Sequence, residues 1–198
     1  MMAGYLDRKF FAQRFGLWVA IVSITMMFAG FTSAYIVKRA DSINWTQFSM
    51  PGMFFISTVL ILASSYCMWR ATRSFKHDNL RAYRTNLMLT LVLGVGFVVA
   101  QVLGWFQLVN NELFLDRHVS AAFFYVISGM HAAHVAGGIV ILAISHWSVS
   151  RKMHNPVYTL TMELSPARKF KVELVATYWH FVDLLWIYLF VFLLVNHP

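Results

Sequence analysis

Five stretches of this chain, roughly 15–37, 51–69, 85–108, 119–147 and 172–195, are mostly apolar and about as long as a bilayer-crossing α-helix requires. No shorter element satisfies its own backbone hydrogen bonds across that thickness, so the runs fix the fold class: an all-α bundle of five transmembrane helices. The composition agrees. With 59% apolar and 12% charged residues and a mean hydropathy of +0.61, the chain lies far from soluble averages. Residues 1–198 read as a single transmembrane domain, with neither a Gly/Ser linker nor a clear internal repeat. The first run follows Arg8, Lys9 and Arg14 and resembles a signal peptide, but it is longer than a typical leader core and is expected to be the first span. Pro51 should sit in a first helical turn, while Asn110-Asn111 and Asn155-Pro156 mark loops.

The formal net charge of +8 would suit nucleic acid only if the basic residues were gathered on one exposed surface. They lie instead in the gaps between apolar runs. Thirteen of the 16 Lys and Arg residues fall on one set of alternate gaps. The positive-inside rule then predicts a cytoplasmic N-terminus and a periplasmic C-terminus. Cys67, the only cysteine, leaves no disulfide framework and no thiol-rich metal site.

Ionisable residues at bilayer depth are costly and are functional candidates by default. On the fifth span Glu173, Thr177, His180 and Asp183 fall within an arc of about 120° at 100° per residue, which should face protein or water. Trp179 and Trp186 lie beside that arc, bordering either a neighbouring helix or lipid. On the fourth span Gly129, Ala133 and Gly137 form a small-residue stripe suited to close helix packing. His131 and His134 occupy another side, at a depth where they could meet the Asp183 region.

The histidines and acids resemble metal-ligand spacings in helical bundles, yet lack the Glu-x-x-His of carboxylate-bridged sites. An interhelical hydrogen-bond network, a lipid-headgroup site and a proton-handling site are the other readings. Gln101 on the third span is expected to bond across to another helix, and Gly94, Gly96 and Gly104 to be packing points. His77, His118, His146, His154 and His197 fall in loops or near span ends and read as solvated or interfacial. The 11 methionines read as apolar filler. No phosphate loop, dinucleotide fingerprint, nucleophile elbow or zincin motif is present.

Several of these segments together resemble subunit III of the haem-copper terminal oxidases, the cytochrome c and quinol oxidase family. Glu173, six residues, then His180-Phe181-Val182-Asp183 and Trp186 match that family's Glu, six residues, His-Phe-x-Asp-x-x-Trp. The segment from Ser128 to Val135 is similar to Thr-Gly-Phe-His-Gly-x-His-Val. Thr90-Leu91-Val92-Leu93-Gly94, with Phe97, Gln101 and Trp105, follows the third-span pattern. Gly16-Leu17-Trp18 through Phe28-Ala29-Gly30-Phe31 fits the opening of the five-helix bacterial form. Two departures stand out. Ile24 follows Ser23 where the family usually has an acid, and Gly104 stands where it often has Glu.

The resemblance implies a non-catalytic accessory subunit of a proton-pumping oxygen reductase in the bacterial inner membrane. Haem and copper would belong to partner subunits I and II, with no cofactor in this chain. It implies phospholipid held between helices, packing against subunit I, and support of proton uptake and sustained turnover. With Ile24 and Gly104 in place of acids, the weight shifts to Glu173, His180 and Asp183, expected as a clasp tying the fifth helix to the fourth. The alternatives are a di-metal membrane enzyme built on His131, His134, Glu173, His180 and Asp183, or a small transporter. The odd helix count without repeats argues against an inverted-repeat transporter.

Overall fold

The computed structural model describes residues 2–42, 45, 48–111, 113, 118–152 and 166–197, and within them all side chains but those of 2–7, 152 and 166. Asn155, Pro156 and His154 lie outside the described residues. The described residues form five helices: α1 (Met2–Asp41), α2 (Gly52–Lys76), α3 (Leu80–Asn110), α4 (Val119–Lys152) and α5 (Pro166–Asn196). All five are long and apolar enough to cross a membrane, and there is no strand among the described residues.

Each helix outruns its apolar span. The 40 residues of α1 make a rod of about 60 Å, roughly twice the hydrocarbon thickness. Lys, Arg, Leu and Ala are all good helix formers, so the helix does not stop where apolarity stops. The stops are local. Pro51 stands at the N-cap of α2, just outside the first turn where the sequence placed it. At the other end of α2 the Asp78 amide bonds to the Phe75 carbonyl and the Asn79 amide to the Ser74 carbonyl, a Schellman closure that holds Asp78 at φ 56°. Asn79 then caps α3, its side chain accepting from the Ala82 amide at 3.0 Å.

Pairwise contacts give the topology. Along α1 and α5 residue numbers rise together, from Phe10 on Phe170 to Tyr35 on Phe192, so these helices are parallel. Between α2 and α5 they run oppositely, from Ser65 against His180 to Phe55 against Phe190. The helices α2, α3, α4 and α5 close into a ring, and α1 packs outside it against α4 and α5. The alternation brings the basic ends of all five helices to one face.

The ring's centre is aromatic. Phe54, Phe97, Phe124, Trp179 and Trp186 are fully buried. Trp179 fits because α3 and α4 present glycines to it: a Cβ on Gly94 would lie 2.8 Å from its ring and one on Gly138 3.0 Å. With no water to expel between helices in lipid, such close van der Waals packing carries much of the association.

A candidate functional cleft between α1 and α2

Because α1 packs outside the ring, it stands apart from α2, and the face of α5 between them is left uncovered. That face carries Glu173, Thr177 and His180. They floor a cleft of 430 Å³ at the basic end of the bundle, walled by Leu17 and Trp18 of α1 and by Trp69 and Thr72 of α2. Arg14 and Lys76 supply its positive charge. The Arg14 guanidinium lies 3.9 Å from the Glu173 carboxylate, both about half exposed, so this pair contributes little stability by itself. The same guanidinium sits over the Phe170 ring at 5.6 Å.

Deeper in the cleft, His180 Nδ1 and Ser65 Oγ of α2 are 2.8 Å apart. Ser65 also interacts with the carboxyl of Asp183, a residue only 2% exposed whose two oxygens make no well-formed hydrogen bond among the described residues. A buried polar group in that state is uncommon and costly. Glu173, His180, Ser65 and Asp183 therefore descend from the cleft mouth into the bundle.

The expected clasp between α5 and α4 is not what these residues make. Glu173 reaches α1, and His180 and Asp183 face α2, because the arc they share points away from α4. The link from α5 to α4 comes from Tyr178, whose hydroxyl donates to the His134 carbonyl at 3.0 Å, and from Trp179 against Gly138. His134 Nδ1 lies 2.8 Å from the Met130 carbonyl of its own helix. His131 is fully buried and stacked on Trp186, ring centroids 5.0 Å apart. Phe97 stands edge-on to it at 5.7 Å, and neither imidazole nitrogen has a hydrogen-bond partner among the described residues.

The five residues of the di-metal alternative are thus not gathered. Among the described residues no group of three or more His, Cys, Asp or Glu is placed to hold a metal ion. Among the described residues the small-residue stripe of α4 likewise finds no closely packed helix along most of its length. Ala133 and Gly137 are exposed, and a Cβ on Gly137 would meet nothing within 4 Å. Only Gly129 approaches a neighbour, Trp105 at 3.8 Å.

Trp179 and Trp186 border neighbouring helices rather than lipid. Their indole N–H groups donate to Ser64 at 3.1 Å and Thr58 at 3.0 Å. Gln101 bonds across to α2 as expected, its amide donating to Ser57 Oγ at 2.9 Å. The partners the sequence reading missed are these α2 hydroxyls. Their signal was present: Ser57-Thr58 and Ser64-Ser65 are seven residues apart, two helical turns, and so mark one polar face. His197 was also misplaced. It is buried, its Nε2 lies 2.9 Å from the Tyr35 hydroxyl, and its ring stacks on Phe48 at 4.0 Å.

Residues 9–196 match the family described as Cytochrome c oxidase subunit III. The chain belongs to the cytochrome c oxidase subunit III family. It is 30% identical over 181 residues to cytochrome c oxidase subunit 3 of Thermostichus vulcanus, covering 90% of this chain and 84% of that one. The corresponding protein of a Synechocystis species is 26% identical, over 90% of this chain and 73% of its own. Cytochrome bo(3) ubiquinol oxidase subunit 3 of Buchnera aphidicola is 25% identical, over 92% and 93%. As a subunit III, the protein is one member of a multi-subunit respiratory oxidase complex. Its five apolar helices and bacterial relatives make it a multi-pass protein of the bacterial inner membrane.

Within that family the two departures now have surroundings. Ile24 is a half-buried apolar residue packed on the core. Gly104 is filled from outside: a Cβ there would lie 2.5 Å from the Phe54 ring, so phenylalanine from α2 occupies the space beside α3 at this position.

Proposed function

We propose that this chain is a non-catalytic accessory subunit that packs against subunit I, holds a phospholipid in the cleft between α1 and α2, and supports proton uptake during sustained turnover. The observation that carries this reading is the cleft itself. Arg14 and Lys76 beside Glu173 offer a phosphate-bearing headgroup both signs of charge, and Trp18 and Trp69 have the amphipathic rings favoured at the membrane interface. The basic face is the cytoplasmic one, which puts the C-terminus on the periplasmic side. Haem and copper belong to the partner subunits I and II.

The outward stripe of Gly129, Ala133 and Gly137 is suited to a helix of a partner subunit, since small residues let backbones approach closely. The line from Glu173 through His180 and Ser65 to Asp183 has the residue types that carry protons in membranes. It supports proton uptake as an auxiliary acceptor at the mouth.

The test is turnover against time in the purified complex. Wild-type complex should hold a steady oxygen-consumption rate, whereas complex lacking this chain should begin at a comparable rate and then decline. Arg14→Gln with Lys76→Gln should lose cleft phospholipid and decline likewise. An equal, stable rate in the complex without this chain would refute the role in sustained turnover.

A further inference from the structure

His134 is a polar group at bilayer depth that the packing of the described residues does not satisfy. It lies near the middle of the α4 span Val119–Arg151, where lipid tails offer no hydrogen bond. Its Nδ1 is 2.8 Å from the Met130 carbonyl, one turn back on the same helix. A carbonyl can only accept, so Nδ1 carries the proton of that bond. A charged ring at this depth is costly, so Nε2 keeps its lone pair and is an acceptor.

Among the described residues nothing donates to that nitrogen. Phe28 of α1 stands edge-on to the ring, centroids 5.9 Å apart. The hydroxyls one turn either side of Phe28 are committed to their own helix, Thr25 to the Ile21 carbonyl at 2.8 Å and Thr32 to the Phe28 carbonyl at 3.0 Å. Tyr178 donates to the backbone of His134 and not to its ring. Unlike the two nitrogens of His131, Nε2 is not sealed inside the bundle. The ring is partly exposed, and it borders the face of α4 that carries Ala133 and Gly137, both exposed. Gly137 stands about 60° around the helix from His134 and Ala133 about 100°. An unsatisfied acceptor therefore sits beside a surface that admits a close backbone approach.

We propose that His134 Nε2 accepts a hydrogen bond from an uncharged donor, a hydroxyl or an indole or amide N–H, on a membrane helix of a partner chain packed along Ala133 and Gly137. The inference rests on the proposed packing against a partner subunit and names the group that fixes its register. The small residues bring the two helices close, and the histidine selects the one depth at which the partner's donor meets an acceptor. A second copy of this chain does not fit. The exposed residues of α4 from Val126 to Ile144 carry no side-chain donor, so a symmetric pair would set acceptor against acceptor.

The experiment uses the intact complex, purified through a tag on the haem-bearing partner and washed in increasing detergent, with this chain retained per haem as the readout. His134→Asn keeps the bond to Met130, since Asn86 and Asn196 each donate to a carbonyl one turn back, at 2.8 and 2.7 Å. It leaves no acceptor at the Nε2 position. At equal detergent it should retain roughly three- to ten-fold less chain than wild type, the range expected for one interhelical hydrogen bond. His134→Gln, whose longer side chain returns an amide oxygen to that position, should be retained like wild type. Equal retention of wild type and His134→Asn, or equal loss of the Asn and Gln variants, would overturn the hydrogen bond. A native mass with two copies of this chain, reduced to one in His134→Asn, would overturn the partner chain as the donor. Absence of the wild-type chain from the haem-bearing complex before any wash would overturn the proposed packing itself, and this inference with it.

Discussion

Replacing Gly104 with alanine should destabilise the contact between α2 and α3, against the usual gain of alanine over glycine in a helix. The added Cβ would meet Phe54 at 2.5, 2.9 and 3.2 Å, when carbon atoms settle at about 3.5–4.0 Å. The ring must therefore move by roughly 1 Å. Phe54 is fully buried, with Phe124 at 4.9 Å and Trp186 at 6.2 Å between ring centroids, so the space behind it is taken. Overpacking of this kind costs about 1–3 kcal/mol, and the helix-propensity gain returns at most about 1 kcal/mol. With that gain subtracted in full, the expected net loss is up to about 2 kcal/mol. Unfolding in mixed micelles by increasing sodium dodecyl sulfate, followed by tryptophan fluorescence, measures it. Phe54→Leu alone should also destabilise, but in the Gly104→Ala background it relieves the clash, so the double variant should be more stable than the sum of the singles by about 1 kcal/mol. Wild-type stability in Gly104→Ala, or strict additivity in the pair, would show that the ring does not fill the glycine's space.

Other outcomes follow from single contacts. His180→Leu removes the hydrogen bond to Ser65 and leaves Asp183 beside a serine with one partner fewer; lower melting temperature and weaker retention in the complex are expected, and unchanged values of both would refute the link between α5 and α2. Asp78→Gly relieves a left-handed residue at φ 56° and should stabilise the α2–α3 turn by about 0.5–1 kcal/mol; a lower melting temperature would count against that turn geometry. Burial, and secondarily the Arg39 charge, pushes the His197 ring from 6.5 down to about 4. The folded state then binds fewer protons than the unfolded state between those values, so stability is full above about pH 6.5 and falls toward pH 4. Melting temperature measured across that window should slope less in His197→Gln than in wild type, and parallel slopes would refute the assignment.

How much of this was legible in the sequence differs from element to element. The five spans were legible because length and apolarity are local properties. The overshoot of α1 and of the basic ends was not, since a charged residue ends a membrane span without ending a helix. Helical periodicity correctly grouped Glu173, Thr177, His180 and Asp183 on one arc, yet it says nothing of which neighbour an arc meets. That depended on α1 lying outside the ring, set by how Tyr35, Phe28 and Phe192 pack. The facing of the α4 stripe was hidden for a similar reason: Gly138, one residue from it, receives Trp179, which turns the stripe outward. Gly94 and Gly104 were read rightly as packing points, while Gly96 meets Leu60 only at an ordinary 3.6 Å. His197 looked solvated because its shelter comes from Tyr35 and Phe48, distant in sequence.

The most direct test is the company this chain keeps. Affinity purification on a tagged copy in mild detergent, with a reduced-minus-oxidised optical spectrum and subunit masses from one sample, should give haem bands and a large partner chain in stoichiometric amount. A lone, haem-free protein of about 22.8 kDa, under conditions that preserve other respiratory complexes, would contradict the account.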